Sequence, residues 1–167
     1  MTIVLLLLAI FPLYQLYALN NTKVQSFMIE KVSMDKSLLF VIDGEIVVAN
    51  PSAIPVTIKQ IDYTGIIENE AVFNGTLKGQ TVPAGGNVSF QFSQEIDWVP
   101  DSDTAVAIVS GKSITLTIHV KPQASYLYLF TLTGKKEINI EISKLLKPYI
   151  EKQIANVNKL LTSLLKS

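Results

Sequence analysis

The chain contains no cysteine and no arginine, and it has one histidine and one tryptophan. Without cysteine, no disulfide contributes to stability, thiolate metal sites are excluded, and the thiol count carries no record of the redox compartment. Without arginine there is no bidentate clamp for phosphate or carboxylate. All fourteen cations are lysines, a bias shared with heat-adapted proteins. They balance fourteen acidic residues to a formal net charge of zero, so no global field attracts nucleic acid, and no nucleic-acid partner is expected.

The scarcity of histidine also bears on catalysis. A hydrolase needs a nucleophile, a base and a group to orient them. His119 sits in the alternating run Ile114–Val120, on the face of Thr115 and Thr117 and opposite Ile114, Leu116, Ile118 and Val120. That pattern describes a solvated strand residue rather than a base. Asp97, Asp101 and Asp103 could offer hard oxygen ligands but lack the glycine and distal glutamate of a calcium loop. Asp101 and Ser102 fit better as caps of a short helix, with Asp103 complementing its dipole. Glu68 and Glu70 flank Asn69 in a turn and read as solvated. No enzymatic activity, catalytic residue, cofactor or metal is expected.

What is present is β-rich. At 167 residues the chain has room for one domain plus appendages. Runs rich in Val, Ile, Thr and aromatic residues, separated by polar turns, predict strands near 24–33, 37–49, 55–63, 70–77, 87–93, 113–121, 125–133 and 136–142, with a helix near 102–109. The expected class is an all-β sandwich. Gly44 marks a bulge or tight hairpin at Asp43-Gly44-Glu45, and Gly134-Lys135 a hairpin turn. Trp98 either plugs one end of the sandwich or anchors a partner. Tyr126-Leu127-Tyr128-Leu129-Phe130, apolar on both faces, predicts a strand covered on both sides, the C-terminal helix supplying one cover; the alternative is a face in contact with lipid or another subunit.

The most specific stretch is Ile46–Tyr63. Asn50-Pro51 ends one strand and Ile54-Pro55 opens the next, because proline lacks an N–H and holds φ near −65°. Val56, Ile58 and Ile61 then alternate with Thr57, Lys59 and Gln60 up to Tyr63. This bend, with Val82-Pro83-Ala84-Gly85-Gly86 ahead of Val88, Phe90 and Phe92, and Ser110-Gly111-Lys112 ahead of Ile114–Val120, resembles the late embryogenesis abundant type 2 family, also called the water stress and hypersensitive response (WHy) domain. The resemblance covers roughly residues 25–142, with Asn50, Pro51 and Pro55 as its bend residues. It implies an immunoglobulin- or fibronectin-like antiparallel β-sandwich with one short helix, a link to stress and desiccation tolerance, and no established catalytic residues. It also implies lipid binding between sandwich and helix, a role that would be shared by the C-terminal helix and Tyr126–Phe130.

Both ends are distinct from the middle. Thr2–Leu19 carries no charge, and eighteen helical residues reach about 27 Å, close to the ~30 Å hydrocarbon core. Residues 1–20 are therefore expected to be an N-terminal transmembrane helix or uncleaved signal anchor; a cleaved signal peptide and a buried core helix are the alternatives. Lys23, Lys31 and Lys36 follow this segment and argue for a cytoplasmic domain. Three sequons, at Asn20, Asn74 and Asn87, argue for an outside domain, and the two internal ones are expected in turns. The expectation is a single-pass cell-membrane protein with residues 24–142, the sandwich, outside as a glycoprotein at the cell surface. Residues 143–167 form an amphipathic helix with Pro148 in its first turn. Its apolar stripe, Tyr149, Ile150, Ile154, Val157, Leu160, Leu161, Leu164 and Leu165, must be buried against the sandwich, a neighbouring copy or a membrane.

Tyr126, Tyr128, Phe130, Ile154, Val157, Leu160, Leu161 and Leu164 are the candidate lipid or partner contacts. Two functions follow. One is a membrane-tethered, non-enzymatic protective domain that binds lipid or envelope partners. The other is a structural subunit of an extracellular assembly or filament, a homo-oligomer with the N-terminal helix buried between copies.

Overall fold

The computed structural model describes residues 2–34, 39–96, 98–127 and 129–164, without the side chains of 2–9, 160, 161, 163 and 164. Asp97, Tyr128 and the side chains of Leu160, Leu161 and Leu164 thus lie outside the described residues. The elements in chain order are α1 (Thr2–Asn21), β1 (Lys23–Met34), β2 (Phe40–Asn50), β3 (Val56–Ile67), β4 (Glu70–Lys78), β5 (Thr81–Val82), β6 (Gly86–Ile96), α2 (Ser102–Val109), β7 (Thr115–Tyr126), β8 (Phe130–Thr133), β9 (Lys136–Glu141) and α3 (Ser143–Leu164).

The strands form two antiparallel sheets. One has the order β1-β2-β6; the other has β4-β3-β7-β8, with β5 also on β3 and β9 also on β7. β4 and β5 run end to end along one edge of β3, and β8 and β9 do so along β7. The framework is therefore three strands facing four. Alternation places Ile42, Ile46 and Val48 of one sheet in a single core with Ile61, Ile67, Leu116 and Ile118 of the other.

The expected strand near 125–133 is not one strand. β7 continues to Tyr126, the chain turns through Leu127 at φ 51°, and β8 returns antiparallel, with Tyr126 opposite Phe130. An apolar run gave no sign of a turn because turns are ordinarily built from Gly, Pro, Asn, Asp and Ser. Gly134-Lys135 is correspondingly no hairpin. It is the gap between β8 and β9, and it lies opposite Pro122, whose carbonyl accepts from Gly134 N at 2.9 Å. Pro122 has no N–H to offer there, so the ladder breaks at that point.

Other boundaries move as well. β3 extends past Tyr63 to Ile67 and turns through Glu68 and Asn69, both at positive φ. Gly44 lies inside an unbroken β2, opposite a register shift in β1 between Ile29 and Lys31. A Cβ at Gly44 would stand 2.2 Å from the Met28 carbonyl, so the glycine is required by close backbone approach. α3 starts at Ser143, which puts Pro148 in its second turn rather than its first. The helix can start early because Ser143 Oγ accepts from Ile114 N and Ile142 caps the first turn, its carbonyl accepting from Leu145 N and Leu146 N.

Candidate functional site

The sandwich has two poles, and each presents a candidate surface. At the first pole β2 gives way to β3 through the proline bend. Asn50 is fully buried there. Its Nδ2 donates to the carbonyls of Ile54 (2.7 Å), Val82 (3.3 Å) and Pro83 (3.2 Å), and its Oδ1 accepts from Ser52 N and Oγ. Ser52 Oγ also donates to the Ile54 carbonyl, and the Ser52 carbonyl accepts from Gly85 N. The bend residues Asn50, Pro51 and Pro55 therefore build a structural clasp joining Asn50–Ile54 to Val82–Gly85. Ser52 is the member that the proline spacing alone did not reveal.

α1 packs at this same pole. Ala18 is buried and Leu19 lies against the core. The β7–β8 turn holds the helix from the other side, with Tyr126 Oη donating to the Pro12 carbonyl (3.3 Å) and Leu127 N donating to Gln15 Oε1 (3.1 Å). Gln15 thus satisfies an amide that the turn leaves unpaired. Around this joint Ile10, Phe11, Leu13, Tyr14 and Tyr17 on α1, and Leu129, Phe130 and Leu132 on the turn and β8, are exposed. Tyr126 and Phe130 are brought together with α1 and not with α3, which corrects the expectation of a strand under the C-terminal helix. Among the described residues no helix is long and apolar enough to cross a membrane, so the transmembrane expectation for residues 1–20 finds no support there.

The second pole carries α2 and α3. Asp101 caps α2, its Oδ1 accepting from Thr104 N at 2.7 Å, and that bond holds its carboxyl below the usual range. Asp101 is thus the helix cap expected from the sequence, Ser102 opening the helix behind it, and Asp97 lies outside the described residues. Among the described residues no three His or acidic side chains stand close enough to hold a metal. The first turns of α3 dock through Leu146, Ile150 and Tyr149, whose hydroxyl donates to the Val32 carbonyl. Farther along, Ile154 (40% exposed) and Val157 (53% exposed) line an apolar groove of about 380 Å³ with Met34, Phe40, Val99, Pro100, Ala105 and Ile150, rimmed by Gln153 and Asn158. Sequence periodicity found the helix side of this groove but not its floor, because Met34, Phe40 and Pro100 come from three separate segments.

The remaining candidates are scattered. His119 is on the solvent face of β7, 3.4 Å from Glu137. Trp98 packs against the core edge. Asn20 is exposed in the last turn of α1, while Asn74 and Asn87 are exposed on strands β4 and β6, not in turns. Thr76 of the second sequon donates to Asp62 at 2.8 Å; with Gln60 and Gln123 it lowers the carboxyl pKa of Asp62, Lys121 adding a smaller effect.

No family model matches the chain, and no curated protein matches it. Solved structures do share its fold. A Northeast Structural Genomics Consortium target, SoR45, superposes with a TM-score of 0.52 at 10% identity, covering 73% of this chain and 87% of its own. AT1g01470 from Arabidopsis thaliana superposes at 0.51 with 13% identity, covering 72% and 80%. At2g46140.1, described as a candidate late embryogenesis abundant (LEA) protein, gives 0.46 at 12% identity over 74% and 73%. At such identities the likeness is one of fold: the chain is a two-sheet antiparallel β-sandwich of the architecture that SoR45 and AT1g01470 share.

Proposed function

We propose that the protein is a non-enzymatic β-sandwich of the late embryogenesis abundant type, held at a membrane by α1, with a stress-protective role exerted through binding rather than turnover. One observation carries this reading: α1 is uncharged from Thr2 to Leu19 and exposes Ile10, Phe11, Leu13, Tyr14 and Tyr17 while its far end is hydrogen-bonded and packed onto a complete sandwich. A helix that leaves five large apolar side chains in water would be costly unless a bilayer or another protein surface covers them. The resemblance of the Asn50–Pro55 bend to the late embryogenesis abundant type 2 family supports the protective class, and the fold shared with AT1g01470 agrees with the sandwich which that resemblance implies. The groove beside α3 supplies an apolar ligand site of the size of a short acyl segment.

Membrane fractionation tests the tether. The full chain is expected to stay with membranes through carbonate extraction and to leave them as a monodisperse species in mild detergent. Release by carbonate overturns the reading, and detergent-resistant filaments in electron micrographs replace it with the structural-subunit alternative.

A further inference from the structure

We infer that the β7–β8 turn is a second membrane-contact element, seated beside α1 and backed by a lysine collar selective for anionic lipid headgroups. This rests on the tether reading and adds to it where the protein touches the bilayer and which lipids it prefers.

The first argument is geometric. Tyr126 and Leu127 are bonded to the helix at Pro12 and Gln15, so only residues 2–11 of α1 project beyond the turn. Ten helical residues extend about 15 Å, half of the ~30 Å hydrocarbon thickness. Burying the uncharged helix any deeper carries Leu129 and Phe130 into the headgroup boundary with it.

The second argument is composition. Residues 126–130 are Tyr-Leu-Tyr-Leu-Phe, where a turn in water would use Gly, Asn or Asp, and Leu127 takes a left-handed conformation that glycine would adopt without strain. Leu129 is 81% exposed and Phe130 57% exposed. Together with Tyr14 and Tyr17, stacked at 6.0 Å on α1, they present the mixture of leucine and aromatic rings that favours a bilayer interface.

The third argument is charge. This pole is built from residues 2–27, 46–60, 78–90 and 122–135, as the strand pairings and the Gly134 N bond to the Pro122 carbonyl show. These segments contain Lys23, Lys59, Lys78 and Lys135 and none of the fourteen acidic residues; the acid at their border is Asp62, whose carboxylate accepts from Gln60 and Gln123. Lys59 Nζ donates to Thr131 Oγ1 on β8 at 2.8 Å, and Lys23 lines a cleft with Leu132 and Thr133. A chain of zero net charge therefore carries a lysine-biased end behind its apolar tip, with Asp62 at its border, the arrangement that anionic headgroups attract.

The absence of cysteine permits single labels on the full chain. Leu129→Cys and, separately, Phe11→Cys would carry an environment-sensitive fluorophore, mixed with phosphatidylcholine vesicles with and without phosphatidylglycerol. Both labels are expected to shift to the blue, more strongly with phosphatidylglycerol. Lys59→Gln and Lys135→Gln should each weaken partitioning about fivefold, with the thermal midpoint unchanged. A response at Phe11 but not at Leu129 overturns the inference and leaves the tether standing. Silence at both positions removes the tether as well. A blue shift that rises with protein concentration in the absence of lipid assigns this end to contacts between copies and overturns both.

Discussion

Asn50 accounts for the bend more fully than the two prolines do. Its amide is the donor for three carbonyls in two segments, so Asn50→Ala should cost about 3 kcal/mol, the range for leaving several buried partners unpaired. Asn50→Asp should be no better, because a carboxylate cannot donate to Ile54, Val82 or Pro83; a Tm for Asn50→Asp near the native value would refute this assignment. The bend itself was legible in the sequence because proline excludes helix and ladder locally, whereas the clasp joins positions thirty-two residues apart and has no local signature. Asp62 gives a second test. Hydrogen bonds from Thr76, Gln60 and Gln123 favour its ionised form, so its contribution to stability is complete above the ordinary carboxylate range, about pH 4, and disappears as acid protonates it. Melting curves should therefore show the native protein losing more between neutral and strongly acid pH than Asp62→Asn does; equal losses would show that Asp62 is not a source of the acid sensitivity.

At the scale of elements, strands with strict alternation were the readable ones. β2 buries every second residue along its length, β7 does so from Leu116 to Val120, and β6 buries Phe90, Phe92 and Ile96 on one face, so these stretches follow from the two-residue period. The misreadings came where composition and conformation part company. The Tyr126–Phe130 turn is apolar, and the β8–β9 gap is created by a proline on the neighbouring strand. α3 was legible as an amphipathic helix, but its stripe serves two purposes that periodicity cannot separate: Leu146 and Ile150 are buried against the sandwich, whereas Ile154 and Val157 face the groove. The double variant Ile154→Asp, Val157→Asp should therefore leave the thermal midpoint within about 2 °C of native, as expected for exposed positions, while abolishing uptake of a fluorescent fatty acid. Uptake that survives this change would exclude the groove as the apolar site.

At the scale of the whole molecule, a formal charge of zero conceals a polar distribution. One end holds four lysines and no acid, and the fourteen acidic residues with the other ten lysines lie outside the segments that build it, Asp62 at their border. Raising the salt concentration should then weaken attachment to phosphatidylglycerol vesicles while leaving attachment to pure phosphatidylcholine nearly constant, since only the first involves screened charge; parallel salt curves would argue against the collar. The sequence contained this asymmetry, but it became visible only when strand pairing had sorted the segments by end. The two apolar surfaces are also separated by the length of the sandwich, about 40 Å along the twelve residues of β1. On the proposed attachment, a bilayer gripped by α1 cannot be the source of whatever enters the groove beside α3. The sandwich would then act as a spacer, its groove meeting molecules that approach from the side facing away from the proposed membrane contact.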